Sequence, residues 1–412
     1  MSRSQPDGLI RLPDQRRERS RLEWRIGDSG DPASLVEDFL ADQGLPVRDL
    51  AALPARGGKP APEATLFVSA AAGAQLAGGA PGRPSPVPAV PDVAVVVWEP
   101  GFEGGSPTAV RAPAGDSSSR PWRLGPWQDS WTPAEHAEAV AWVRAAIADG
   151  EVYQVNLVGH ASAAYLGDPT GPLRRVAALP GARYGQLLRG AGWAIGCASP
   201  ETLVEVGGGG RVVTRPIKGT RPATATGRAQ LLRSAKERAE HVMIVDLERH
   251  DLARLARTGS VRVEELYAVR RWCDLWQAES VISAQLAHGT GLAALLRAVC
   301  PGGSVTGAPK LAALAQIAAL EPAGRGASMG ALGRVRPAGL DLGLTIRTVA
   351  VDAERVHLWA GGGITWGSDP AAEVAEAAAK AAPLRAALEP GGQPGVLLNT
   401  AVRSTSDRSN PS

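Results

Sequence analysis

Apolar positions recur along the chain with a helical period in some stretches and as short runs in others. Thr132, Pro133 and Glu135 supply an N-cap, a first-turn proline and a capping-box acid; Val140, Val143 and Ile147 mark one face, and Gly150 closes the predicted helix. Length, composition and periodicity predict further helices over 231–255, 311–320 and 371–388. Strands are expected at 153–158, 340–351 and 356–360, the last running into the triplet Gly361-Gly-Gly363. A hairpin is expected from 203–206 and 211–214 around the glycine run 207–210. The segment 215–221, Arg-Pro-Ile-Lys-Gly-Thr-Arg, cannot be helical throughout, because proline and glycine break it.

Proline and glycine punctuate the first 125 residues heavily, at 78–91 and 112–126, with apolar runs such as 93–98 between. This pattern predicts strands joined by long loops. The tail from Glu389 is rich in Gly, Pro, Ser and Asn and is expected to be disordered.

Composition narrows the class. With 412 residues and 44% hydrophobic content the chain can bury a sizeable core. Lys and Arg number 44 against 41 Asp and Glu, for a net charge of +3, and no long basic run suggests a nucleic-acid or membrane surface. The three cysteines, Cys197, Cys273 and Cys300, lack paired spacing, so neither a disulfide framework nor a zinc site is expected. No apolar stretch reads as a signal peptide or a bilayer span, and a soluble, cytoplasmic protein is expected.

Several residues have the types and spacings that chemistry needs. Glu237 and Glu240 share one helical face, as do Glu373 and Glu376, so two faces meeting would make a carboxylate nest suited to Mg²⁺; solvated surface acids are the plainer reading of either pair. Gly361, Gly362 and Gly363 would bare backbone N–H groups to an anion, or simply make a tight turn. Arg347 falls in an apolar strand, where its guanidinium needs a carboxylate, from a ligand or from the chain itself. Lys218 is either a surface lysine or a desolvated nucleophile. The histidines show no metal-ligand spacing, and His241 reads as structural.

Taken together and in order, Tyr153-Gln-Val-Asn-Leu157, Ser199-Pro-Glu201, Pro216-Ile-Lys-Gly-Thr220, Lys236-Glu-Arg-Ala-Glu-His241, Pro301-Gly-Gly-Ser-Val-Thr-Gly-Ala-Pro-Lys310, Ile346-Arg-Thr348 and Gly361-Gly-Gly-Ile364 closely resemble the chorismate-utilising enzymes. That family includes anthranilate synthase, aminodeoxychorismate synthase, isochorismate synthase and salicylate synthase. The resemblance implies a single large α/β (α+β) domain of two packed antiparallel sheets flanked by helices, as in anthranilate synthase component I. Residues 1–125 would be a divergent part of that fold, 126–388 the chorismate-binding catalytic region and 389–412 a tail. The resemblance also implies Mg²⁺ as cofactor, chorismate as substrate and a Mg-dependent aminase. Gln154 stands where the isochorismate branch carries a water-activating lysine, which implies ammonia as nucleophile. Lys218 stands where anthranilate synthases carry alanine and aminodeoxychorismate synthases a lysine, which points to the latter branch and so to p-aminobenzoate and folate synthesis.

By the same resemblance Lys218 would be the nucleophile and Glu201 the general acid, while Glu240 and Glu376 would hold Mg²⁺ with Glu237 and Glu373 nearby. Thr220, Arg347, Lys380 and the amides of Gly361, Gly362 and Gly363 would fix the substrate carboxylates, and Gln154 and Gln277 would line the substrate. Ammonia would come from a separate glutamine amidotransferase subunit. Four departures stand out: Gln277 for an active-site histidine, Ser328 for an aromatic residue, His250 for an asparagine, and Trp366-Gly367 ahead of Ser368-Asp369-Pro370. The first argues against formation of anthranilate. Anthranilate synthase component I and a non-catalytic chorismate-binding homologue are the alternatives.

Overall fold

The computed structural model describes residues 17–55, 61–100, 121–272 and 275–391. Their strands form two antiparallel sheets. The larger, of ten strands among the described residues, runs in the order Glu18–Trp24, Val93–Trp98, Glu63–Val68, Ala331–Arg336, Gly339–Leu344, Thr202–Val206, Arg211–Arg215, Leu275–Gln285 and Ile217–Pro222, with Arg262–Trp272 also on Leu275–Gln285. The smaller, of eight, runs Gly307–Ala308, Gln154–Leu166, Arg355–Ile364, Thr348–Val351, Trp193–Ser199 and Tyr184–Gly190, with two short strands also paired to Gln154–Leu166.

Val93–Trp98 is an unbroken apolar run because it is a central strand, covered on both faces and flanked by Glu18–Trp24 and Glu63–Val68. The main hydrophobic cluster takes Phe67, Val95, Val204 and Leu342 from the larger sheet and Val158, Ile195 and Trp359 from the smaller, so the sheets pack on a common core. Each fully buried side chain of this size contributes roughly 1.5–3 kcal/mol.

The capping-box helix is present as Pro133–Ala148, with reciprocal bonds between Thr132 and Glu135. The hairpin pairs Thr202–Val206 with Arg211–Arg215. Helices Lys310–Leu320 and Pro370–Leu388 also match the expected periodicity.

Four expectations need correction. The helix over 231–255 is two helices, Ala225–Arg233 and Ala235–Ala253, because Ser234 leaves the helical region at ψ 104° and its side chain accepts from the Glu237 N–H, capping the second. The strand over 340–351 is interrupted between Leu344 and Thr348, and Arg347 sits in that break at φ +50°, not within a ladder. The glycine triplet is neither a bare loop nor a tight turn: it continues Arg355–Ile364 and pairs with Val158, Leu157 and Asn156. Finally, the early region holds two helices besides its strands, Pro32–Asp42 and Ala70–Leu76, the first signalled by the Asp31 cap and Pro32. The predicted loop over 112–126 lies outside the described residues up to 120, and the predicted tail does so from 392. Among the described residues no helix is long and apolar enough to cross a membrane.

Candidate functional site

Pro216 separates Arg211–Arg215 from Ile217–Pro222, and the register against Leu275–Gln285 slips between Lys218 and Thr220. Gly219 makes that bulge at φ +69°, and a Cβ there would lie 2.7 Å from Leu231 Cδ1 and 2.9 Å from Glu237 Oε2. The bulge orients the neighbouring lysine. Lys218 Nζ donates to the Ser304 carbonyl at 3.2 Å and stands 3.8 Å from Glu240 Oε1, with its side chain only 12% exposed.

Glu201 lies in the turn between Trp193–Ser199 and Thr202–Val206, buried, with Oε1 accepting from the Ile217 N–H at 3.4 Å. Burial pushes its carboxyl above the ordinary range, against the opposing pull of Lys218, the Ser304 hydroxyl and Lys380. A carboxyl held this way keeps its proton more readily than a surface acid, as a general acid must.

The two glutamate-bearing helices approach the glycine triplet. A Cβ at Gly363 would fall 3.0 Å from Glu240 Oε1 and 2.5 Å from Gln154 Nε2. At Gly362 it would fall 3.1 Å from Glu373 Oε2 and 3.7 Å from both Glu376 Oε1 and Lys380 Nζ. Glycine there leaves the room that these side chains occupy. The helix carrying Glu373, Glu376 and Lys380 starts at Asp369, whose side chain accepts from the Ala372 N–H, with Pro370 next. Lys380 Nζ donates to Gly361 O at 2.9 Å and pairs with Glu376 at 2.7 Å. Glu237 instead turns to Arg221, at 3.1 Å.

Gln154 is fully buried, and neither its Nε2 nor its Oε1 has a hydrogen-bond partner. Unsatisfied buried polar atoms are rare and costly, so these point to a ligand in that space. Gln277, also buried, leaves its Oε1 unpartnered and pairs in register with Thr220, which is exposed. Arg347 is half-buried in the break before Thr348–Val351. Ser328 is buried, its hydroxyl donating to the Thr345 carbonyl.

For a divalent cation, the donor set fits a hard ion: carboxylates from two helices meet either side of Gly362 and Gly363. Among the described residues no three acids, histidines or cysteines are already gathered as ligands.

Two groups lie beside the site that the sequence did not mark as functional: His241, read there as structural, and Glu248. His241 Nε2 lies 2.5 Å from Ser280 Oγ, and burial, then the Lys218 charge, lower its pKa to about 4, so a neutral imidazole borders the lysine. Glu248, buried on the Ala235–Ala253 helix with its Oε2 accepting from the Thr214 hydroxyl, is pushed up to about 8, by burial first. Neither gives a sequence signal beyond its place on the helix.

The family described as chorismate binding enzyme matches residues 104–386 of this sequence, a span that contains every candidate residue above. This chain belongs to the chorismate binding enzyme family. Within it, the chain is 39% identical over 277 residues to aminodeoxychorismate synthase component 1 of Salmonella typhimurium, covering 65% of this chain and 60% of that protein. It is also 39% identical over 285 residues to anthranilate synthase component 1 of Streptomyces coelicolor, covering 67% and 54%. The chain thus spans little more than half the length of these relatives. Among solved structures, anthranilate synthase component I from Streptococcus pneumoniae superposes with a TM-score of 0.72 at 23% identity, covering 88% of this chain and 89% of that one. That likeness establishes the chorismate binding enzyme fold.

Proposed function

We propose that this chain is a chorismate aminase of the aminodeoxychorismate synthase component I type, which converts chorismate and ammonia to 4-amino-4-deoxychorismate for p-aminobenzoate and folate synthesis. The observation that carries the reading is the seat of Lys218: a nearly buried amine, held by Ser304 O at 3.2 Å, beside Glu240 and the buried Glu201. The Salmonella relative's name supports it.

Lys218 Nζ, as the neutral amine, attacks C2 of the ring while the C4 hydroxyl departs as water with the Glu201 proton. Ammonia then adds at C4, the C2–N bond to Lys218 breaks, and Glu201 takes up the proton that the new amine sheds. Two displacements replace one difficult substitution. Glu240 and Glu376 would hold Mg²⁺, with Glu373 close by; when bound, the ion supplies positive charge for the substrate's ring carboxylate. Glu237 joins this set only by releasing Arg221. Lys380, Arg347 and Thr220 would orient the two carboxylates, together with those amides among Gly361, Gly362 and Gly363 that pairing with Gln154–Leu166 leaves open, and Gln154 would hydrogen-bond the substrate or the incoming ammonia. Ammonia would be delivered by a separate glutamine amidotransferase subunit.

The Streptomyces coelicolor relative, equally identical, favours anthranilate synthase component I as the second reading. Lys218 and Gln277 oppose it. Incubation with chorismate, Mg²⁺ and ammonium followed by product analysis decides: aminodeoxychorismate supports the aminase, anthranilate supports the second reading, and binding without turnover removes both.

A further inference from the structure

Side chains of Leu275–Gln285 alternate between the two faces of the larger sheet, so Gln277 and Glu279 share one face and Ala278 takes the other. The two positions are roughly 6.5 Å apart along the strand. Both residues are 3% exposed, and each ends in a buried oxygen without a hydrogen bond, Gln277 Oε1 and Glu279 Oε2. The proposed displacements use neither. Open buried acceptors are uncommon, and two on one face suit a ligand that has hydrogens to donate.

The neighbours narrow what that ligand is. Arg270 stands opposite Gln277 in the ladder; its Nε donates to Glu279 Oε1 at 3.1 Å and its Nη2 bonds to Glu265. Arg183, just before Tyr184–Gly190, donates from Nη1 to Thr202 Oγ1 at 3.0 Å and comes within 3.6 Å of Glu279 Oε2. Arg215 is matched by Glu205 at 2.6 Å. The Glu279 carboxylate therefore already answers two guanidinium groups. A further cation at Oε2 would lie against Arg183, and an anion would meet Glu279 itself. A small neutral molecule with several N–H donors and one lone pair satisfies both open oxygens and presents its lone pair to the guanidinium.

The place of these acceptors ties them to the reaction. On the neighbouring strand Ile217 pairs with Glu279 and Thr220 with Gln277, and Lys218 lies between those two rungs. Thr220 is exposed whereas Gln277 opposite it is buried, so the open oxygens begin just inside the surface.

We propose that Gln277 and Glu279 form the binding site for ammonia, taken up as the free base. Two of its hydrogens go to Gln277 Oε1 and Glu279 Oε2, and its lone pair faces Arg183. Ammonium leaves its proton with solvent before it enters, because Arg183 disfavours a second cation at Oε2. The site rests on the aminase reading for its catalytic meaning and names where the second substrate waits before it adds to the ring.

The test uses the full chain with chorismate, Mg²⁺ and ammonium, and measures KM for each substrate at saturating levels of the other. Gln277→Leu, which removes an acceptor at similar volume, and Glu279→Gln, which keeps an oxygen for Arg270, are each expected to raise the ammonium KM roughly tenfold. The chorismate KM should stay within about twofold, a split that general structural damage would not produce. A second readout needs no turnover: thermal unfolding in ammonium chloride against potassium chloride of equal ionic strength, at pH 7 and pH 9. Ammonium should raise the unfolding temperature of the unaltered protein, and more so at pH 9, where more of it is free base; Gln277→Leu should erase the difference. An unchanged ammonium KM, a rise in the chorismate KM instead, or equal unfolding in the two salts overturns the proposal, the last meaning that water alone fills the space. If the unaltered protein yields no aminated product, the aminase reading fails, while the comparison of salts still decides whether ammonia binds here.

Discussion

Arg325 and Glu321 meet inside the protein and find their partners within the chain: Arg325 donates to both Glu321 oxygens, to Val305 O and to Asn156 O, and Glu321 accepts from the Val158 N–H. At the candidate site the same degree of burial comes with the opposite bookkeeping. Both amide atoms of Gln154 and the Gln277 Oε1 lack partners. A buried polar group with its bonds filled holds the fold together, and one left open is a cost that a ligand can offset.

Removing Lys218 gives the largest expected effect. Lys218→Ala should lower amination at least ~100-fold, as loss of an activated nucleophile does, while thermal unfolding stays close to that of the unaltered protein. A near-normal rate in that variant would rule out covalent participation by this lysine. Arg325→Ala should do the reverse, costing about 3–5 kcal/mol of stability because Glu321 is left buried without its cation. Chemical denaturation checks this, and an unchanged midpoint would dissolve the contrast between the two clusters.

A third test concerns the smaller sheet, away from the site. His160 Nε2 lies 3.1 Å from His357 Nδ1, and His357 meets Asp352 at 3.3 Å. Burial first, then the charges of His357 and Arg355, lower the His160 pKa to about 3. The unfolded chain therefore binds a proton near pH 6.5 that the folded chain refuses, and stability falls as pH drops from there towards 3, by on the order of 4–5 kcal/mol in total. His160→Gln should flatten that acid limb in a series of unfolding curves. The smallest stability change is expected for Gln154→Leu: within about 1 kcal/mol, because no internal hydrogen bond is lost, yet chorismate affinity should fall roughly tenfold. Equal affinity in the variant would mean that the open amide faces no ligand.

Local signals carried much of the fold into view. The Thr132 capping box, the glycine-split hairpin and the apolar run at Val93–Trp98 are each decided by a few adjacent residues, so they read correctly in isolation. The misreadings came where distant parts of the chain overrule local preference. Ser234 continues an apolar helical pattern yet caps a new helix. Three glycines look like a loop, but pairing with Leu157 and its neighbours makes them a strand whose missing side chains leave space for Gln154 and Glu240. Glu248 was invisible as a candidate, and His241 read only as structural, because a helix pattern does not say which polar residue will be covered or what it will border.

The sequence by itself determined the residue types, their order and the family motifs, and with them the kind of chemistry available: an amine, a set of carboxylates, and glycines between. Only the tertiary structure decided which of these meet. Lys218 and Glu240 are 3.8 Å apart although they lie on different elements, and Glu237, one turn from Glu240, is drawn to Arg221 instead. The reason is physical: spacing along a chain sets which face a side chain takes, whereas its protonation and partners depend on what covers it, and that is settled by packing between segments far apart in sequence.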